Sequence, residues 1–261
     1  MSDTDNARDH RLAVNAAREA GALAMRYFRT DYATWDKGKN NPVTEADMAV
    51  DQLLRQRLLA DAPGYGWLSE ETADDKSRHA ARRVWVVDPI DGTRAFIRGQ
   101  PHFAVSIALL EDSRPVSAVI FNPATDQLFE ARTDEASLLN GEKMQVSAKG
   151  ELQDARMLAS KGLFQHKRWT SAWPDMHVES RNSIAYQVAL TAAGHFDGCM
   201  NLWGAYDWDL AAADLILRTA GGHITDHTGA ALVFNQETPR HPSIIAANPA
   251  LHGLLLGRMP A

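Results

Sequence analysis

Apolar residues recur along the chain with two periods, one helical and one extended, and their succession lays out the elements. From Ala13 to Phe28, Ala, Leu, Val and Met fall at helical spacing with Arg18, Glu19 and Arg26 on other faces, which predicts an amphipathic helix. Arg29 to Asn41 is polar, with Gly38, Lys39, Asn40 and Asn41 ahead of Pro42, and predicts a mobile loop. A second helix is expected from Thr44 through Val50, Leu53, Leu54 and Leu58 to Pro63, its T-x-x-D start at Thr44 and Asp47 resembling a capping box with Asp for the usual Glu. Trp67-Leu68 reads as a short buried strand ending at Glu70-Glu71, and the charged stretch Asp74 to Arg83 as surface loop or a short helix. Val84 to Val87 is a run of strand formers expected to stop at Asp88 and Pro89, because proline has no N–H to donate. Phe103 to Leu110 and Pro115 to Phe121 predict further buried strands. Asp126 to Ala131 and Ala136 to Leu139 extend them as an antiparallel meander with Asn140-Gly141 as a hairpin turn.

Beyond residue 150 the alternation changes. Arg156 to Ser160 and Phe196 to Met200 read as short strands, as do His223 to Asp226 and Ile244 to Ala247. Ile184 to Ala193 reads as a helix stopped by Gly194, Asp209 to Ala220 as an apolar helix ended by Gly221-Gly222, and Asn248 to Leu256 as a terminal helix. The first half is thus expected to be two helices against a largely antiparallel sheet, and the second an α/β unit. A boundary is expected between subdomains 1–150 and 151–261, with no internal repeat and no low-complexity segment.

Composition adds bounds. The chain of 261 residues is 45% hydrophobic and 23% charged, ordinary for a globular protein. A net charge of −6 argues against a nucleic-acid backbone as the main partner. One cysteine, Cys199, excludes an intramolecular disulfide and a multi-cysteine zinc site. Met1 to His10 is polar, without the apolar core of a signal peptide, and no apolar run approaches the roughly 18 residues of a membrane span. A cytoplasmic enzyme without a membrane partner is therefore expected.

The candidate chemistry sits at element ends. Asp88 and Asp91 leave a buried strand together, followed by Gly92, which permits a sharp turn, and by the hydroxyl of Thr93. Two carboxylates this close repel each other, and burial raises the cost, unless a cation shares the site. Magnesium favours carboxylate and carbonyl oxygen, and Asp88, the Ile90 carbonyl and Asp91 are placed to address one small volume. The alternative is a plain strand-to-loop turn. Asp47 has a capping explanation, Glu70 and Glu71 a solvated-loop one, and Asp209 one as a first-turn acid of its helix. A helix N-terminus is also where phosphate binds, so metals held by acids and a phosphate at a helix end would satisfy both demands.

Four segments together resemble the inositol monophosphatase superfamily. Gly66 to Glu71 is similar to its G-x-x-x-E-E motif and Asp88 to Thr93 to its D-P-I-D-G-T motif; Val43 to Asp47 resembles V-T-x-x-D, and Trp208 to Ala212 with Ala220-Gly221-Gly222 resembles W-D-x-A-A…A-G-G. The order matches the family's and spans most of the chain. The resemblance implies a layered αβαβα sandwich, of mixed α+β and α/β character, and a magnesium-dependent phosphatase with two or three Mg2+ per site. It implies that Glu70, Asp88 and the Ile90 carbonyl hold one magnesium and Asp88, Asp91 and Asp209 a second. Thr93 and Asp47 would orient and deprotonate water, with Glu71 assisting, and the Gly92 and Thr93 amides would meet phosphate oxygens. Lithium sensitivity and a tendency to dimerise also come with the family.

Departures bear on the substrate. Asn182 replaces the glycine of a G-S-x-A segment at Ser183, and Leu202 stands where inositol phosphatases carry a glutamate that contacts the polyol. Leucine accepts no hydrogen bond, which argues against pure inositol specificity. The Asp207-to-Leu215 run looks closer to bacterial 3′(2′),5′-bisphosphate nucleotidases, with Ser160 and Lys161 expected to meet a second phosphate, and Lys37 or Lys39 to add charge near the metals. The expected substrate is 3′-phosphoadenosine 5′-phosphate or an inositol monophosphate; the alternatives are histidinol phosphate, or a non-catalytic member that only binds phosphate ligands. The seven tryptophans are expected in the core and at the subdomain interface rather than as a stacking platform, with Trp169, Trp173 or Trp203 as the alternatives for contact with a base.

Overall fold

The computed structural model describes residues 3–36, 38, 42–60, 62–167, 169 and 171–259. Lys37, Lys39, Asn40 and Asn41, and with them the expected basic contribution near the metals, lie outside the described residues. In chain order the elements are α1 (Asp3–Tyr27), β1 (Thr34–Asp36), β2 (Pro42–Thr44), α2 (Glu45–Leu59), β3 (Gly66–Ser69), β4 (Arg83–Asp91), α3 (Thr93–Ile97), β5 (Ala104–Glu111), β6 (Arg114–Asn122), β7 (Gln127–Arg132), β8 (Leu138–Leu139) and β9 (Glu142–Lys143). There follow β10 (Arg156–Ala159), β11 (His177–Glu179), α4 (Ile184–Ala192), β12 (Gly198–Asn201), β13 (Ala205–Tyr206), α5 (Asp207–Thr219), β14 (His223–Thr225), β15 (Arg240–His241), β16 (Ile244–Ala247) and α6 (Pro249–Leu256).

Strands β3 to β9 form one sheet in sequence order, parallel between β3 and β4 and antiparallel beyond. A second, mixed sheet runs β11-β10-β12-β16-β14. Side-chain alternation along β4 explains the layering. Trp85 and Val87 join the core under α1 and α2, with Ala17, Ala20, Val50 and Leu54. Val84 and Val86 face the opposite way, into a core with α4 and α5, where Leu210, Leu217, Tyr186 and Val188 also meet Leu158, Cys199 and Ala246 of the second sheet. The far face of that sheet packs Met157, Met200 and Ile245 on Leu251 and Leu255 of α6. The order is helix, sheet, helix, sheet, helix: the αβαβα sandwich. Burying both faces of both sheets is what makes their strands read as continuous apolar runs.

Several boundaries differ from the expectation, each for a physical reason. Helix α1 starts at Asp3, ahead of Ala13, because its polar first half has tertiary partners: Asp9 is buried against Arg83 at 2.7 Å, and His10 meets Ser117 at 2.9 Å and Glu130 at 3.1 Å. Thr34–Asp36 pairs with Pro42–Thr44 instead of running as loop. The charged stretch after β3 is anchored, since Arg78 is fully buried and donates to Asp74, Asn235 and the Gln236 carbonyl. Pro89 does not end β4: pairing with β5 breaks between Asp88↔Ser106 and Asp91↔Ala104 and resumes, so the missing N–H is absorbed by a bulge. Helix α3, beginning directly after Gly92, was not expected.

Candidate active site

The bulge aims the carboxylates. One oxygen each of Asp88, Asp91 and Asp209 lies within 4.8 Å of the others. Each reaches that point by a different route. Asp88 ends the paired run of β4 and accepts the Ile90 amide at 3.0 Å, which fixes its side chain over the bulge. Asp91, past the bulge, accepts the Ser183 hydroxyl at 2.6 Å and the Ala185 amide at 2.7 Å, tying it to the first turn of α4. Asp209 accepts the Tyr206 amide at 2.7 Å in the first turn of α5. That turn is docked on the sheet because Ser106, the pairing partner of Asp88, donates to the Trp208 carbonyl at 3.0 Å. Glu70 arrives by topology: β3 runs parallel to β4, so both chains leave the sheet on one side, and the Glu70 amide still bonds the Val87 carbonyl at 3.3 Å.

Asp47 occupies both of its expected situations. Its Oδ2 accepts the Thr44 amide at 2.8 Å, and its amide donates to the Thr44 hydroxyl at 3.3 Å, a complete capping box. Its Oδ1 accepts the Thr93 hydroxyl at 3.1 Å. The cap therefore holds the carboxylate so that the other oxygen faces Thr93. The same Thr93 hydroxyl lies 3.1 Å from the Ile90 carbonyl, which couples it to the bulge. Gly92 joins these parts at φ 95°, and a Cβ there would lie 2.7 Å from the His102 carbonyl oxygen and 3.1 Å from the Ser183 amide, so both conformation and space demand glycine.

These groups line a cleft of about 190 Å³ whose floor is Glu70, Asp88, Asp91 and Asp209, with Gly92 and Thr93 beside them. Burial is the main reason the acids hold protons unusually tightly. Asp88 is pushed well above the ordinary carboxylate range by burial and then by the charges of Glu70, Asp91 and Asp209. Asp209 is raised likewise, by burial and then by Asp91 and Glu70. Burial lifts Asp91 to about 7 against the opposing hydrogen bonds from Ser183 and Ala185, and lifts Asp47 to about 6 against those from Thr44 and Thr93. An oxygen-only donor set with this much unrelieved like charge fits a hard divalent cation such as Mg2+.

The remaining expected residues fall elsewhere. Glu71 is absent from the cleft wall, though its charge acts on Asp88. Ser183 is fully buried behind Asp91 and accepts the Tyr186 amide at 3.0 Å as cap of α4, so the wall position is taken by Asn182. Ser160 and Lys161 do not line the cleft: Lys161 borders a separate groove with Phe164, Gln165 and Val178, and the Ser160 hydroxyl is buried without a hydrogen-bond partner among the described residues. Both follow β10, which runs parallel to β12, so they leave the second sheet on the side from which the chain continues through Asn201 to Tyr206. Leu202 packs against the core beneath α6. Trp169 and Trp173 pack in that same core, and Trp203 is exposed outside the cleft wall. The aromatic residues that do line the cleft are Tyr206 and Trp208, together with Pro42 and Arg94. Their spacing around Asp207 was the available signal, since residues two apart entering a helix from an extended segment share one side.

The model of the inositol monophosphatase family matches residues 5–260. Over 203 residues the chain is 36% identical to an inositol-1-monophosphatase of Rhizobium meliloti, covering 74% of this chain and 75% of that one. Over 259 residues it is 32% identical to the Nus factor SuhB of Escherichia coli, covering 95% and 94%. Among solved structures, the extragenic suppressor protein SuhB of Bartonella henselae superposes with a TM-score of 0.82 at 30% identity, covering 95% of this chain and 97% of that one. A Thermotoga maritima IMPase gives a TM-score of 0.82 at 26% identity, covering 95% and 94%.

Proposed function

The chain belongs to the inositol monophosphatase family, and from that premise we propose that it is a Mg2+-dependent phosphatase of small phosphate monoesters. The observation that carries this is the convergence of buried Asp88 and Asp91 with partly buried Asp209, mutually repelling, at the floor of a cleft. Glu70, Asp88 and the Ile90 carbonyl would hold one cation, and Asp88, Asp91 and Asp209 a second, with a third, weaker ion near Glu70. Bound there, the cations would acidify water and stabilise charge on the transferring phosphoryl group.

The chain's own residues supply the rest. Asp47 Oδ1 accepts from Thr93, so a water donating to the Thr93 hydroxyl passes its proton along a prebuilt pair. A carboxyl raised to about 6 is a better base near neutral pH than an ordinary aspartate. Gly92 and Thr93 line the cleft at the start of α3, so their amides are placed to receive phosphate oxygens. Glu71 assists through its charge, which acts on Asp88.

For the leaving group, 3′-phosphoadenosine 5′-phosphate is preferred over inositol monophosphate, because Leu202 faces a core and offers no acceptor to a polyol. We place the enzyme in the cytoplasm; among the described residues no helix is long and apolar enough to cross a membrane. A purely ligand-binding member of the fold would have little need of the Asp47–Thr93 pair.

The test is phosphate release from a panel of 3′-phosphoadenosine 5′-phosphate, inositol 1-phosphate and histidinol phosphate at fixed Mg2+, repeated with Asp88→Asn. A loss on the order of 100-fold or more is expected in the variant. Equal rates for variant and parent, or no release from any ester, would end the phosphatase proposal.

A further inference from the structure

Building on the phosphatase reading above, we propose that the stacked Tyr206–Trp208 pair is the leaving-group platform of the cleft, and that it selects phosphomonoesters whose alcohol carries a flat heteroaromatic ring. The two rings lie 4.6 Å apart and 6° from parallel, and both line the cleft that Asp88, Asp91 and Asp209 floor. Trp208 is the fixed member, its carbonyl held by the Ser106 hydroxyl at 3.0 Å. Tyr206 lies on it, the residue 41% exposed and its amide bonded to Asp209 at 2.7 Å. One face of the tyrosine is thus covered by tryptophan, and the ring is tethered beside the acids that floor the cleft. A preformed stack loses little conformational freedom when a third ring is added.

The rest of the wall points the same way. Among the described residues, the polar side chains of the wall outside the acids, Thr93 and the platform itself are those of Asn182 and Arg94, beside Pro42. That is a sparse set for a polyol, whose many hydroxyls each need a partner, and a sufficient one for the edge of a heterocycle. Two sources share this chemistry: a nucleobase and an imidazole. Trp203, though 53% exposed, lies outside the wall and has no part in the platform.

Substitution at Tyr206 leaves its amide bond to Asp209 available, and the exposed side chain makes misfolding a minor concern; thermal unfolding of each variant checks it. The experiment measures kcat and KM for adenosine 3′-phosphate, histidinol phosphate and glycerol 2-phosphate with wild type, Tyr206→Leu and Tyr206→Phe at fixed Mg2+. Tyr206→Leu is expected to lower kcat/KM for a ring-bearing ester on the order of tenfold, chiefly through KM, with a much smaller loss on glycerol 2-phosphate and recovery in Tyr206→Phe. Whichever ring-bearing ester shows the larger loss identifies the source. Equal losses on ringed and ringless esters overturn the platform while the phosphatase reading stands. Release from none of the three overturns both.

Discussion

Strand β4 buries charge at both of its ends, and the two ends treat it oppositely. At the start, the Arg83 guanidinium reaches Asp9 at 2.7 Å, Glu111 at 2.9 Å and the Tyr65 hydroxyl at 3.1 Å, a cation wrapped in partners of opposite sign. At the other end the charges acting most strongly on Asp88 are all carboxylates: Glu70, Asp91, Asp209 and Glu71. The first arrangement completes itself when the chain folds. The second remains strained until something from outside the chain joins it, which is what distinguishes a structural charge cluster from one built to receive a ligand. One strand can carry both because its middle, Val84 to Val87, is buried on both faces and fixes the two ends independently.

The contrast predicts opposite responses to losing a charge. Arg83→Met should destabilise the fold by about 3 kcal/mol, because buried Asp9 loses its ion pair at 2.7 Å and keeps only the half-exposed Arg8 and the Tyr65 hydroxyl, while Glu111 keeps Arg82. Asp88→Asn should do the reverse in metal-free protein and raise stability, since it removes one of several repelling carboxylates. Urea unfolding of both variants breaks the comparison if the two move in the same direction. Next in size is Gly92→Ala, where a left-handed φ of 95° and the His102 carbonyl at 2.7 Å predict a loss of about 1–3 kcal/mol together with reduced activity.

pH sharpens the same contrast. Asp47 at about 6 and Asp91 at about 7 are raised above the ordinary 3.8, so the folded chain holds these protons more tightly than the unfolded one. Their stabilising contribution is complete below pH ~4, declines as pH rises and is gone above pH ~7. Metal-free protein should therefore lose stability across that window, and Mg2+ should restore more of it at pH 8 than at pH 5; a flat profile in metal-free protein would count against buried, cation-free acids. The smallest effect is expected at the exposed Arg57–Glu19 pair, where Arg57→Ala should change stability by under about 1 kcal/mol at any pH.

How much of this was legible in the chain follows from how local each cause is. Val84 to Val87 could be read directly, because burial on both faces leaves an apolar run, whereas the continuation past Pro89 to Asp91 rests on a bulge against β5 that no local pattern shows. The Thr44–Asp47 cap was visible as a spacing, but its second use, the Oδ1 bond to Thr93, depends on a residue 46 positions away. The extra turns of α1 were hidden because Asp9 and His10 are held by Arg83, Ser117 and Glu130, partners that no periodicity announces. Helix α3 is only five residues long and too short for a period to register. Lys161 reads as a phosphate contact because it follows a strand end, as Glu70 does; in the structure it borders a groove with Phe164, Gln165 and Val178. Tyr206 and Trp208, which flank Asp207, carried only their two-residue spacing as a signal, since their place in the cleft wall depends on how the first turn of α5 docks on Ser106 of β5.

The central claim is that the acids at the end of β4 form one cation-binding cage. Thermal unfolding of metal-free wild type and Asp88→Asn, each with and without Mg2+, tests it most directly. The cage predicts that Mg2+ raises the wild-type Tm by several degrees, on the order of 2 kcal/mol or more at saturation, that the variant starts from a higher metal-free Tm, and that most of its Mg2+ response is gone. Equal Mg2+ shifts in the two proteins, or none in either, would contradict it.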